Sequence, residues 1–517
     1  MTPPRIPAHG AEPGVSRRRF LCVCAGVGLG AAACDHGPPA RPPRTGDGGH
    51  RPDAERDAPG TPDWRITSQG PPDAIVGYTD RVSVTPGQEV GLSVSTTAAS
   101  FRVSAFRVGW YGGALARRVW TSPPVRGRVQ RAPGFRPKTR TVFADWRRTL
   151  ALDTATWPEG AYLLRLDAAT GHQRHVPLIV RSVRGTGRTV LLHAPATWQA
   201  YNRWGGSSLY AGPTGSYETR SLAVSFDRPY DSDGAEKFRV YEWAAVVLAE
   251  RLGIPLAYTT GLDVHTDPAV LDGAAAVVCL GHDEYWTPEQ RAHVTRARDA
   301  GTNIAFLGAN TCFRRIRLQP GTGADDRTVV CYKSAYRADP CYAAQPALVT
   351  ADFRAGPAPD PESSLTGVLY EGYPVDAPYV VNSSGHWLHE GTGVRAGDAF
   401  AHLVGVEYDR VTPTPETPRL LEITAHSPLV CAGRPSHSDS AYYTVPSGAG
   451  VFASGTMRWV EALVAGSDEL GRDHGMDART RAFVTRTTEN LLRAFAEGPA
   501  ARHRPAPLPN CPDFYAT

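Results

Sequence analysis

The stretch Ala274-Ala275-Ala276-Val277-Val278-Cys279-Leu280-Gly281-His282-Asp283-Glu284-Tyr285-Trp286 changes character at Gly281. A short apolar run closed by a glycine reads as a buried strand. A dense polar and aromatic cluster follows at once. Similar elements flank it on both sides. Upstream, Thr189-Val190-Leu191-Leu192 predicts a first strand. Residues 242–252 are apolar at helical spacing and stop at Gly253, and Pro255-Leu256-Ala257-Tyr258 predicts a second strand. Downstream, residues 288–300 predict a helix with Pro288 near its start and Gly301 after its end. Asn303-Ile304-Ala305-Phe306-Leu307 predicts a fourth strand. The order strand, helix, strand, strand, helix, strand predicts an α/β domain with a mostly parallel sheet and helices on its faces. Residues 311–450 are less regular, with β-like runs and long loops, and residues 477–497 predict a final amphipathic helix. No internal repeat is visible.

Residues 64–184 have a different texture. Arg81-Val82-Ser83-Val84, Val90-Gly91-Leu92-Ser93-Val94 and Phe101-Arg102-Val103-Ser104-Ala105-Phe106 alternate at period two between turn residues. Such strands without helical stretches predict an all-β sandwich domain, and nothing in it converges on chemistry. Residues 35–63 are rich in Pro, Gly, Asp and Arg and read as a flexible tether. Ahead of them, Ser16-Arg17-Arg18-Arg19-Phe20-Leu21 opens a 14-residue apolar stretch ending at Ala33. A bilayer span needs ~20 residues, so residues 1–34 read as a twin-arginine export signal. Ala31-Ala32-Ala33-Cys34 resembles a lipoprotein cleavage site, with Ala31 where leucine is usual. Export to the cell surface or periplasm, with a lipid on Cys34, is the expectation; a soluble secreted protein cut near Ala33 is the alternative.

The sequence of 517 residues carries a net charge of +4, with 41% apolar and 21% charged residues. These are globular proportions. Without residues 1–34 the charge falls to about +1, and the absence of a basic surplus argues against a nucleic-acid partner. Three of the nine cysteines lie in the signal. Cys279, Cys312, Cys331, Cys341, Cys431 and Cys511 remain, and an exported chain can form disulfides from them. No C-x-x-C pair exists, so a zinc ribbon is not indicated.

In open α/β sheets, ligands bind beyond the carboxyl ends of the strands. The first predicted strand is followed by Trp198, Tyr201, Asn202, Trp204 and Tyr210, which can wall a substrate site or merely pack the long connection. Tyr241-Glu242 begins the first helix, and the fourth strand ends at Gly308-Ala309-Asn310. His282-Asp283-Glu284-Tyr285 is the sharpest cluster. Three readings stand open: Asp283 and Glu284 as acid and base on a glycan, a hard metal ion bound through oxygen, and plain structural hydrogen bonding. No G-x-S-x-G or G-x-C-x-G elbow occurs at this turn, which disfavours acyl transfer through Ser or Cys.

The motifs T-W-Q-A-Y-N-R-W-G-G-S-S-L-Y (197–210), V-S-F-D-R-P-Y (224–230), G-H-D-E-Y-W-T-P-E-Q-R (281–291), G-A-N-T-C (308–312), V-C-Y-K (330–333), P-E-S-S-L-T-G (361–367) and V-F-A-S-G-T-M-R-W (451–459) resemble the N,N-dimethylformamidase large (beta) subunit family. The resemblance covers about residues 185–497, and places a family-type domain at 185–500. It implies a class I glutamine amidotransferase-like fold without that nucleophile. It also implies a mononuclear iron held by two tyrosines and a glutamate. Carried over, Tyr285 and Tyr241 are the phenolates and Glu362 the carboxylate, with Glu407 and Glu371 in reserve. His282, Glu284 and Asn310 are then the catalytic or orienting groups, and Trp198, Tyr201, Asn202 and Trp204 line the substrate. The family's amidase has a small partner subunit that this sequence does not contain. The leading expectation is an exported metal-dependent hydrolase of a small-molecule amide. Membrane contact is expected only through Cys34, and homo-oligomer formation is open. A non-catalytic surface binding protein and a glycan-active enzyme are the alternatives.

Overall fold

The computed structural model describes residues 55–321, 325–465 and 474–515. The segment read as an export signal, Cys34 and the segment read as a tether up to residue 54 lie outside them. The tether reading does not extend to its last residues. Glu55 is buried, because Arg117 meets its carboxylate through two nitrogens (2.9 and 2.6 Å) and Tyr111 donates to it at 2.5 Å. A carboxylate is buried at tolerable cost only when paired in this way.

Two sheets follow, as the period-two alternation predicts. One holds Ile75–Thr79, Glu89–Thr96 and Leu150–Asp153. The other runs Ser83–Val84, Gln173–Val180, Gly160–Ala168, Ser100–Val108, Ala116–Thr121. The central strands of the second sheet are buried on both faces. On Gly160–Ala168, Tyr162, Leu164 and Leu166 join the core between the sheets, whereas Ala161 and Leu163 join the core shared with the following domain. Alternation alone predicted one buried face; docking covers the other.

The second domain is built on a seven-stranded sheet. In chain order its strands are β1 (Thr189–His193), β2 (Leu256–Thr260), β3 (Ala276–Cys279), β4 (Asn303–Phe306), β5 (Leu421–Cys431), β6 (Arg434–Thr444) and β7 (Gly450–Ala453). Their spatial order is β2-β1-β3-β4-β7-β6-β5. The first five in that order are mutually parallel, and β6 and β5 add on antiparallel. Helices α1 (Pro195–Tyr201), α2 (Ala244–Leu252), α3 (Pro288–Asp299) and α4 (Ala478–Ala496) complete the frame. Their ends follow local chemistry. The Thr287 hydroxyl accepts the Gln290 amide at the start of α3, Asp477 accepts the Thr480 amide at the start of α4, and Gly253 closes α2 at φ +66°. A π-turn, Arg239–Trp243, precedes α2. Residues 311–450, which read as irregular, contain paired strands of 12 residues each, Leu369–Val380 and Ala399–Arg410, besides β5 and β6.

Candidate active site

The chain leaves β1 for β2 on one side and β3 for β4 on the other. Such a divergence opens a crevice at the carboxyl ends of β1 and β3. Into it run α1 and the turn 281–284. Gly281 has φ +101°, and a Cβ there would sit 2.3 Å from the Tyr241 carbonyl oxygen, so only glycine fits. The Thr197 hydroxyl of α1 accepts the amides of Glu284 (3.0 Å) and Tyr285 (3.3 Å). Tyr285–Trp286 then pairs in parallel with Arg314–Arg315. The close approach at Gly281, the Thr197 hydroxyl and the strand pairing thus pin the backbone of the turn.

Four oxygens converge above it. Tyr210 donates to Glu284 Oε2 at 2.6 Å, Tyr201 donates to the same oxygen at 2.8 Å, and Tyr285 donates to the Tyr210 hydroxyl at 2.8 Å. His282 Nε2 lies 3.0 Å from the Tyr201 hydroxyl. Arg314 Nε donates to Glu284 Oε1 at 3.2 Å, and Lys333 Nζ stands 3.2 Å from the centre of the Tyr210 ring. Glu284, Tyr285, His282 and Lys333 are buried, whereas Tyr201, Tyr210, Tyr241 and Arg314 are half-buried and form the open side.

Burial sets the proton affinities here. It would raise that of Glu284, but Lys333 and Arg314 outweigh it, and the carboxyl lies below its ordinary range. All three phenols are pushed well above theirs by burial, and the charge of Glu284 adds to this. Burial lowers His282 to about 4 and Lys333 to about 7. Glu407 is raised to about 8 by burial, with Glu284 the next cause. Asn310, held at φ +59°, donates its side-chain amide to Glu407 (2.7 Å) and its backbone amide to Asp409 (2.8 Å).

Of the residues singled out in the sequence, His282, Glu284, Tyr285 and Tyr201 meet in one network, and Asn310 adjoins it through Glu407. Tyr241 reaches it by ring contact with His282, centroids 5.3 Å apart. The rest are occupied elsewhere. Trp198 is buried and donates to Glu242 (2.6 Å), which also pairs with His193. Asn202 bonds Gln199 and the Pro229 carbonyl, and Trp204 packs edge-on against Trp146 of the sandwich. Glu362 is ion-paired with Arg354, and Glu371 with Arg410. The oxygens that converge are therefore those of Tyr201, Tyr210, Tyr285 and Glu284, in place of Tyr241, Tyr285 and Glu362. Asp283 is buried, and burial pushes its carboxyl well above the usual range, with the charge of Glu242 adding to this. Tyr210 reads in the sequence only as part of a wall, and Arg314 and Lys333 are missed there. Lys333 had a signal, since it is one of only three lysines in the sequence and ends the V-C-Y-K motif.

A family model described as N,N-dimethylformamidase beta subunit-like, C-terminal, matches residues 102–473, well over half of the chain. The chain belongs to this family. The match begins inside the sandwich domain, within Ser100–Val108. No curated protein matches the sequence. Among solved structures, a Paenibacillus sp. cycloisomaltooligosaccharide glucanotransferase complexed with cycloisomaltoheptaose aligns at 9% identity over 82% of this chain and 81% of that one. Its TM-score of 0.17 supports no shared fold. Among the described residues no group of three or more His, Cys, Asp or Glu side chains is placed to hold a metal ion. The set that converges is phenolic, and phenol with carboxylate oxygen is donor chemistry that fits a hard cation.

Proposed function

We propose that the chain hydrolyses the C–N bond of a small amide at the crevice between β1 and β3. Convergence of three phenols, Glu284 and a neutral imidazole within 2.6–3.0 Å carries this reading. Tyr201, Tyr210, Tyr285 and Glu284 are the residues that would hold a metal, iron on the family resemblance. When bound there it would supply an activated water and a polarised carbonyl. The chain's own residues provide the rest. His282 is unprotonated at neutral pH and accepts a proton through Nε2. Glu407 retains its proton there and can hand it to the departing nitrogen, with Asn310 fixing its carboxyl. Two carboxyls with proton affinities driven apart suit opposite roles. Lys333 and Arg314 offset the charge of Glu284, and the aromatic open side suits an uncharged substrate. A class I glutamine amidotransferase-like architecture is part of the same proposal, supported by the five parallel strands.

We also propose export and lipid attachment at Cys34; detergent partitioning of the mature protein tests this, and full recovery in the aqueous phase would contradict it. For activity, an amide panel is offered to metal-loaded protein. Release of amine by the wild type, lost in Glu284→Gln and Glu407→Gln, supports the proposal. No release from any amide by iron-loaded protein leaves a binding protein on the same fold.

A further inference from the structure

A groove of about 410 Å³ runs along the outer side of α3, behind the Tyr285–Trp286 pair. Arg291, Arg296, Arg315, Phe353, Asp360 and Ser364 are among its lining residues. The Phe353 ring has guanidinium groups at 5.1 Å (Arg291) and 4.9 Å (Arg315). The two arginines are not equivalent. Arg291 is fully engaged: it binds Asp360, the Pro361 carbonyl, the Ser364 hydroxyl and the Cys312 sulfur. Cys312 of G-A-N-T-C and Ser364 of P-E-S-S-L-T-G therefore serve to anchor the last residue of G-H-D-E-Y-W-T-P-E-Q-R.

Arg315 is only 5% exposed, yet its side chain makes a single hydrogen bond, Nη2 to the Ala358 carbonyl at 2.6 Å, and its buried Nε has no partner. A guanidinium carries five donors in a planar fork that matches carboxylate and phosphate. Leaving such a charge buried with one bond is costly, and burial lowers the basicity of Arg315, opposed by Asp360, with Arg291 adding to the lowering. Arg296 is exposed and has no ion pair among the described residues. The one lining carboxylate, Asp360, is already paired with Arg291. The groove thus holds three guanidinium groups against one carboxylate. Successive strand residues point to opposite faces, so Arg314 turns to Glu284 and Arg315 to the groove.

We propose that this groove binds a small oxyanion, a carboxylate or a phosphate group, through Arg315 and Arg296, one residue along the strand from the arginine that holds Glu284. The site stands independently of the amidase reading. A purely packing role for Arg315 against Phe353 and Ala358 involves no contribution from exposed Arg296. Inorganic phosphate and, separately, acetate are titrated calorimetrically into the full-length protein at low ionic strength. Saturable binding of at least one is expected, weakened about tenfold or more in Arg296→Gln and abolished in Arg315→Gln. Binding of phosphate alone assigns a phosphoryl ligand, and binding of acetate alone a carboxylate. Arg296→Gln alters an exposed side chain and decides the matter should Arg315→Gln fail to fold. No saturable binding of either anion to the wild type, or undiminished binding by Arg296→Gln, would overturn the proposal.

Discussion

Glu407 and Glu284 share one electrostatic environment but face opposite surroundings. Glu284 has two cations and two phenol donors, whereas Glu407 has one amide and a neighbouring negative charge. In the folded chain Glu407 keeps its proton up to about 8, against an ordinary value of 4.5. Between those values the folded state binds more protons than the unfolded one, so stability falls as pH rises across that window, by up to ~1.4 kcal/mol per pH unit. Glu407→Gln should flatten that slope in pH-dependent denaturation. If Glu407 is the proton donor, amine release by the wild type should also decline above pH of about 8. Lys333→Met keeps the volume but removes a charge opposing the burial of Glu284; the three-phenol network should then hold a carboxyl of higher proton affinity, read by NMR titration of Glu284. The turn 281–286 was legible because its polar residues follow an apolar run directly. That Tyr210, Lys333 and Glu407 gather about Glu284 was not, because only the fold brings positions so far apart in the chain to one carboxylate.

At the scale of elements, β1 to β4, α2 and α3 were legible to within a few residues, since each is a short apolar run or a helix with a clear stop, whereas α1 and β7 were not. The pair Leu369–Val380 and Ala399–Arg410 was not. Gly372, Pro374 and Pro378 interrupt the first strand, and its burial pattern departs from strict alternation. Asn303 shows how the elements are tied together. Its side-chain amide donates to the carbonyls of Ala275, Phe495 and Gly498, and its oxygen accepts the amides of Gly450 and Ala500. It thereby fastens the end of α4 to the start of β4. Asn303→Leu fills the space but leaves those partners unsatisfied, at ~1–3 kcal/mol each where water cannot reach them. A loss of ~3 kcal/mol or more in urea denaturation is expected, and a loss below ~1 kcal/mol would contradict the role.

Across the whole molecule, the sandwich is joined to the α/β domain by a shared apolar core in which Trp64 and Trp243 meet at 5.7 Å. A buried ion pair lies within that interface: Arg107 of the sandwich donates to Glu250 of α2 at 2.6 Å, and Tyr258 donates to the same carboxylate. Removing one member strands the other, so Arg107→Ala should cost ~3–5 kcal/mol, lowering the denaturation midpoint of the protein as one unit. Alternation revealed the sandwich but not its second buried face, because period two fixes which side chains share a face and says nothing of what covers it. In the proposed function, phenol and carboxylate oxygens meet around one hard cation. The most direct measurement is the iron content and visible spectrum of the purified, iron-supplied full-length protein beside Tyr285→Phe and Glu284→Gln. The result expected of the proposed site is about one iron per chain with an iron–phenolate absorption band, both lost in the two variants. A colourless wild type that takes up no iron, or variants that keep full occupancy, would contradict it.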